Sequence, residues 1–158
     1  MSAAAALIER LQLSPHPEGG WYRELYRSSE RVQAERGARC ALTSIYYLLE
    51  HAQVSRWHVV AADEIWHFYD GSPLELFVYD AGQCKLRTER LGGPASRHQP
   101  VGIVPRGHWQ AARTRGAYSL LGCSVAPGFE FEDFALVAQL PGHAEHFAAE
   151  LRELRTLL

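Results

Sequence analysis

The stretch "RWHVVAADEIWHFYDG", residues 56–71, decides how the chain is read. It holds two histidines, a glutamate, two aspartates and two tryptophans, and it closes on Gly71. It can be a metal site, an acid/base site, or two core strands with polar punctuation. Strands are the scaffold in every case. "SRWHVVA" (55–61) and "EIWHFYD" (64–70) are rich in β-branched and aromatic residues, and a small turn separates them.

The pattern continues on both sides. "LELFVYD" (74–80) and "CKLRTERL" (84–91) alternate around a turn at "AGQ". Upstream, "ALTSIYYLLE" (41–50) is apolar nearly throughout, as a strand buried on both faces is, and "WYRELYR" (21–27) is aromatic and half polar. Downstream, "VGIVP" (101–105) and "WQAART" (109–114) flank an "RGH" turn. "GAYSLLGCSVAPGF" (116–129) runs into a Pro-Gly turn, and "FEDFALV" (131–137) is one more short strand. "SPHPEGG" (14–20) is dense in proline and glycine and reads as a loop. Leu7, Ile8 and Leu11 mark a short helix within 3–12. Phe147, Leu151, Leu154 and Leu158 mark an amphipathic helix after Pro141-Gly142. Helix, many closely spaced strands, helix is the plan of an all-β sandwich or barrel, here one domain over 1–158.

Composition narrows the function classes. A net charge of −2 makes no electrostatic case for nucleic acid or an anionic membrane surface, and no apolar run approaches a bilayer span. The alanine-rich start lacks a basic segment and is broken by Glu9 and Arg10, so it reads as helix rather than signal peptide. Cys40, Cys84 and Cys123 are an odd, widely spaced set, which argues for a reducing cytoplasm over a disulfide framework. There is no Ser-His-Asp set, phosphate loop or dinucleotide fingerprint.

Two stretches resemble the paired motifs of the cupin superfamily. "HVVAADEIWHFYDG" supplies His58, Glu64 and Gly71, and "PRGHWQ" supplies Pro105 and Gly107. The ordered series "PHPEGGWYRELYRS", "TSIYYLL", "DEIWHFYDG", "VPRGHWQAA" and "LLGCSVAPGFEFEDFALV" is similar to a bacterial and fungal cupin subfamily without an assigned activity. The resemblance implies a jelly-roll barrel, the cupin double-stranded β-helix, with a small-molecule pocket inside and a homodimeric assembly.

The departures from the motif carry the chemistry. Arg56 stands where the family's first histidine ligand falls, and Gln110 where the last does, so the full ligand set for a divalent transition metal is absent. A guanidinium stays protonated and offers no lone pair. His58, Glu64 and His67, with His108 as a further donor, are the metal candidates. The spacing from His58 to Glu64 is one residue longer than the family's, which leaves strand parity open. Either Glu64, Trp66 and Phe68 face inward, or Asp63, Ile65, His67 and Tyr69 do; His58 is inward in both.

The catalytic candidates are therefore His58, Glu64 and His67, a histidine–acid arrangement suited to proton transfer. Arg56, Trp66, His108, Gln110 and Arg23 are candidate ligand-binding residues, with Arg56 or Gln110 placed to fix a carboxylate or oxyanion. Of Glu130, Glu132 and Asp133, the resemblance brings one to the pocket, and His16, His98, His143 and His146 read as surface. Three functions compete: acid/base isomerisation of a sugar-like or polar acid molecule, a metal-dependent oxygenase or lyase, and a non-catalytic binding or sensing module.

Overall fold

The computed structural model describes residues 2–140, 142 and 151–158. Helix α1 (Ala3–Leu11) is capped by Ser2, whose Oγ accepts the Ala5 N–H at 3.1 Å, and ends where Gln12 turns left-handed at φ 55. Strands β1 (Ser14–Pro15), β2 (Trp21–Arg27), β3 (Arg31–Ala34), β4 (Gly37–Cys40) and β5 (Thr43–Glu50) follow. Then come β6 (Val54–Val60), β7 (Asp63–Gly71), β8 (Leu74–Asp80), β9 (Lys85–Leu91) and β10 (Val101–Val104). The last are β11 (Trp109–Thr114), β12 (Tyr118–Ala126) and β13 (Phe134–Leu136).

Two antiparallel sheets enclose the core. One has the order β1-β2-β5-β12-β7-β10, the other β13-β6-β11-β8-β9, and β3-β4 form a separate hairpin. Neighbours such as β5, β12 and β7 are far apart in sequence, so the chain crosses between the sheets as a jelly roll does. Alternation sets what each strand sends inward. Leu49, Trp66, Leu76, Val78 and Leu121 fill one half of the interior. Leu48 and Leu120 point the other way and pack under α1.

The β3-β4 hairpin lies outside the strands expected from sequence, because the alternation in "RVQAERGARC" runs over only four residues a side and rests mainly on small side chains. Its tight turn needs Gly37 at φ 108. It is anchored by Arg39, whose Nε and Nη2 donate to the two Asp133 oxygens at 2.7 and 3.0 Å. Asp133 is thus buried in an ion pair rather than solvated, and Arg39 holds its carboxyl below the usual range. "FED" (131–133) is a 3-10 turn, so the strand expected over 131–137 shrinks to β13.

The amphipathic helix expected after Pro141-Gly142 lies partly outside the described residues, at 143–150. Arg152–Leu157 forms 3-10 turns broken at Leu154, where φ is −112 and ψ 16, and so is not a regular α-helix. Leu154 and Leu157 nevertheless bury against Trp57, Phe77, Trp109 and Val137 on the outer face of the five-stranded sheet. Leu151 and Leu158 pack against the same cluster, so the apolar positions expected in this part do face the sheet although the backbone is not a regular α-helix. Leu157 is fully buried, so Leu157→Ala is expected to cost about 3 kcal/mol in urea unfolding. The exposed Thr156→Ala is expected to be silent, and equal behaviour of the two variants would show that the tail does not dock there.

Candidate active site

The second half of the barrel interior is hollow. The cavity, about 280 Å³, is lined in its buried part by Glu18, Tyr47, His58, Glu64 and Cys123. Tyr22, Phe129 and Phe131 form an aromatic wall toward its mouth. Its floor is a layer of large side chains: Tyr47 meets Trp66 edge-on at 5.6 Å, and Trp66 Nε1 donates to Gln110 Oε1 at 2.9 Å.

Strand β6 brings two side chains of unlike parity to one place. Gln110 pairs with His58 and Ala112 with Ser55, so β6 spends one more residue than β11 across this interval. That bulge shifts the alternation by one, and Ser55 and His58 both reach Glu18. Trp57, between them, goes to the outer face under the C-terminal tail.

Glu18 itself comes from the proline- and glycine-rich loop. Gly19, at φ 112, lies so close to β6 that a Cβ would sit 2.1 Å from the Val54 carbonyl oxygen. Gly20, at φ 72, leaves 2.7 Å to the Leu48 carbonyl oxygen. No other residue type fits either position. The loop is then tied down: Tyr47 O–H donates to the Gly19 carbonyl at 2.7 Å, and Arg56 donates to the Pro17 and Glu18 carbonyls. His16 is drawn inside with it, its side chain 6% exposed and boxed by Tyr22, Tyr47, Phe131 and Phe134. The surface placement expected for His16 is therefore corrected: the loop does not run over the surface but folds into the barrel mouth. Burial lowers the His16 pKa, opposed by Glu18 and reinforced by His58.

Hydrogen bonding assigns the ring protons. His58 Nδ1 lies 2.7 Å from the Arg56 carbonyl oxygen, which only accepts, so Nδ1 carries a proton. The other nitrogen, Nε2, faces Glu18 Oε2 at 3.3 Å. A neutral ring with Nδ1–H has a lone pair on Nε2, and a carboxylate has lone pairs too. The contact therefore suits a pair that carries one proton, an imidazolium with a carboxylate or a neutral ring with a carboxylic acid. Ser55 Oγ donates to the second Glu18 oxygen at 2.8 Å. His16 Nδ1 accepts the Glu18 N–H at 3.2 Å, so a neutral His16 holds its proton on Nε2.

Glu64 sits beside this pair. Burial pushes its pKa up to about 7, with His58 pulling it down and Glu18 pushing it further up. Gln110 Nε2 donates to Glu64 Oε2 at 2.6 Å. The buried Cys123 thiol bonds to Glu64 as well, and burial raises the thiol well above its ordinary value, so it stays a thiol. Glu64 is then a carboxyl that changes charge near neutrality.

Register settles which face of β7 is inside. Glu64 pairs with Val104 and Val125, and Glu64 and Trp66 are buried while Asp63 and Ile65 are exposed. His67 lies on the Asp63–Ile65 parity and does not line the cavity. Of the three catalytic candidates the structure brings His58 and Glu64 together and leaves His67 out. Among the ligand-binding candidates, Trp66 and Gln110 stand behind Glu64, one layer from the cavity. Arg56 is turned to loop carbonyls, so it presents no charge to the interior. His108 is at the surface, 3.5 Å from Asp80. Arg23 borders the cavity, but its guanidinium reaches Gln12 and lies over the Tyr46 ring. Glu130 does reach the mouth, paired with Arg27 at 2.7 Å. Glu18, His16, Tyr47 and Cys123 are the lining groups that reading the motifs missed.

A jelly-roll barrel with polar groups converging in its hollow half is a cupin. Over residues 5–137 the chain matches the family model described as Cupin superfamily (DUF985), and it belongs to that family. It is similar to a hypothetical protein from Leishmania major, at 32% identity over 96% of this chain and 98% of that one, with a TM-score of 0.84. A protein of Shewanella oneidensis is 33% identical over 99% of this chain and 95% of its own, with a TM-score of 0.82. The oxalate decarboxylase of Bacillus subtilis, 15% identical over 91% of this chain and 37% of its own, shares the fold at a TM-score of 0.59. No curated protein matches the chain.

Cupins commonly hold a transition metal, and the donor set here does not fit one. Arg56 cannot ligate, Gln110 is spent between Trp66 and Glu64, and His58 Nε2 faces Glu18. Among the described residues, no three His, Cys, Asp or Glu side chains are grouped to hold a metal ion.

The raised Glu64 pKa has a signed consequence for stability. An acid whose folded pKa exceeds its unfolded value binds more protons when folded, so its contribution is full at low pH and is lost as pH rises through about 7. Wild-type stability measured against Glu64→Gln in urea is expected to fall by on the order of 3 kcal/mol between pH 4.5 and 8. Parallel profiles for the two proteins would show that Glu64 is not desolvated as described.

Proposed function

We propose that the cavity binds a small polar, sugar-like molecule and that the chain isomerises or epimerises it by proton transfer. The His58–Glu18 pair is the base: with the pair's proton on His58 Nε2, the Glu18 carboxylate takes a C–H proton next to a carbonyl and becomes a carboxylic acid beside the imidazolium. The bonding electrons move into the carbonyl, and protonated Glu64 delivers a proton to the developing enolate oxygen. Glu18 then delivers its proton to the former carbonyl carbon while Glu64 takes back a proton from the neighbouring hydroxyl, which becomes the new carbonyl, and all three residues are restored. The single observation that carries this reading is geometric: His58 Nε2 faces Glu18 Oε2 at 3.3 Å in a buried site, beside Glu64, a second carboxyl whose pKa burial pushes up to about 7. Gln110 and Cys123 act as positioning residues on Glu64. The volume is near the lower end of roughly 300–1,000 Å³ usual for small-molecule sites, which suits a single ring.

A homodimer and a cytoplasmic setting accompany the proposal, the first from the cupin resemblance and the second from three unpaired cysteines. Among the described residues no helix is long and apolar enough to cross a membrane.

The reaction is tested by incubating the protein in D2O with a panel of aldoses and ketoses and reading loss of the signal at the carbon beside the carbonyl by proton NMR. Exchange is expected for at least one member, slowed at least about 100-fold in His58→Asn and in Glu18→Gln. Compounds that bind without exchange would make the chain a binding module. Exchange that follows a stoichiometric transition metal, lost together with the metal in His58→Ala, would make it a metallo-enzyme.

A further inference from the structure

The charge and hydrogen-bonding state of the cavity restricts what can enter it. Four carboxylates line the cavity and its mouth: Glu18, Glu24, Glu64 and Glu130. Two guanidiniums border it. Arg23 is turned away to Gln12 and Tyr46. Arg27 is saturated. Its Nε and Nη2 donate to the two Glu24 oxygens at 3.0 and 2.9 Å, and its Nη1 donates to Glu130 at 2.7 Å. The remaining contacts are from Nη2 to the Phe129 carbonyl at 3.1 Å and from Nη1 to Cys40 Sγ at 3.6 Å. A guanidinium has five N–H groups, and all five are accounted for. An anion arriving at the mouth meets a cation whose donors are taken and whose charge is more than balanced by two carboxylates.

The interior donors are committed in the same way. The Tyr47 hydroxyl donates to the Gly19 carbonyl, Ser55 to Glu18, and the Cys123 thiol bonds to Glu64. Beyond these, the lining offers acceptor oxygens on Glu18 and two donors, the His16 Nε2–H and the protonated Glu64 carboxyl, neither of which carries a positive charge. A molecule that arrives already negative would be desolvated beside Glu18 after meeting Glu24 and Glu130 at the mouth, with the one nearby charged donor, Arg27, taken; a neutral sugar becomes negative only as Glu64 protonates it. The walls beside them, Tyr22, Phe129 and Phe131, are apolar ring faces that suit the C–H face of a sugar ring or a cation.

We infer that the cavity takes a molecule that brings hydrogen-bond donors, hydroxyl or ammonium, and carries no negative charge, and that it rejects carboxylates and phosphate esters of the same size. This inference rests on the cavity being the ligand site and names the class of its ligand. Of the two substrate types the sequence left open, it keeps the sugar-like one and removes the polar acid.

The test is a panel of ring-sized fragments divided equally among neutral, cationic and anionic members, titrated into 15N-labelled protein. Amide shifts at Glu18, Val60 and Cys123 report cavity occupancy. Neutral and cationic members are expected to bind, and anionic ones to bind at least about tenfold more weakly. Anionic members binding as tightly as the others would overturn the charge inference and leave the ligand site standing. No shift at these amides from any class would overturn both. A second arm uses Glu24→Gln combined with Glu130→Gln, which releases Arg27 at the partly exposed mouth. Anionic members are then expected to gain about tenfold or more, because a charged donor fork becomes free. No gain in a variant that still binds the neutral members would overturn the inference.

Discussion

The close approach of Gly19 and Gly20 to the backbones of β6 and β5 is the constraint on which the site depends. Only residues without a Cβ let the chain pass 2.1 Å, in Cβ terms, from the Val54 carbonyl oxygen. That passage carries Glu18 into the barrel and His16 with it. Tyr47 and Arg56 then hold the loop by its carbonyls, so a segment that has almost no regular structure is fixed from both sides. Without this seating His58 would face an open cavity instead of a carboxylate, and no proton would be shared. The proposed chemistry depends on a loop positioned by a rigid scaffold, as binding chemistry often does.

The barrel divides its interior between stability and chemistry. Trp66 lies at the boundary. One side of it packs with Leu76, Val78 and Leu121, and its indole N–H reaches Gln110, which in turn holds Glu64. The chain of contacts gives Glu64 a fixed position in an environment dry enough to raise its pKa to about 7. The outer face of the same sheet is covered by Leu154 and Leu157, which lets Trp57 leave the interior and frees the neighbouring positions Ser55 and His58 for Glu18. The β6 bulge is therefore both a packing feature and the device that assembles the pair.

Most of the strands were legible because runs of aromatic and β-branched residues bounded by turn residues are a strong local signal. The boundaries 21–27, 74–80 and 109–114 match the observed strands residue for residue. The β3-β4 hairpin was not legible, since its alternation is short and rests mainly on small side chains, and it is held by Arg39 and Asp133, a contact across 94 positions. In the described part of the C-terminal segment the apolar positions were legible and the backbone was not: Leu151, Leu154 and Leu158 meet the sheet, but from 3-10 turns broken at Leu154. In the site, His58 and Glu64 stood in a recognisable motif, and parity narrowed the choice to Glu64 or His67. Pairing of β7 with β12 and β10 decided it. Glu18 and His16 were invisible to periodicity because a loop has none. The available signal was steric: a histidine between two prolines, followed by a glutamate and two glycines, is too stiff and too small to be an ordinary surface connection.

The shared proton between His58 and Glu18 is observed most directly by 15N NMR of histidine-labelled protein. His58 Nδ1 is expected to remain protonated wherever the protein is folded, bound to the Arg56 carbonyl. The Nε2 resonance is expected to lie between the positions of a bare and a protonated ring nitrogen, and to move to the bare position in Glu18→Gln. A lone pair on Nδ1, or an Nε2 resonance indifferent to Glu18→Gln, would contradict the pairing from which the proposed chemistry follows.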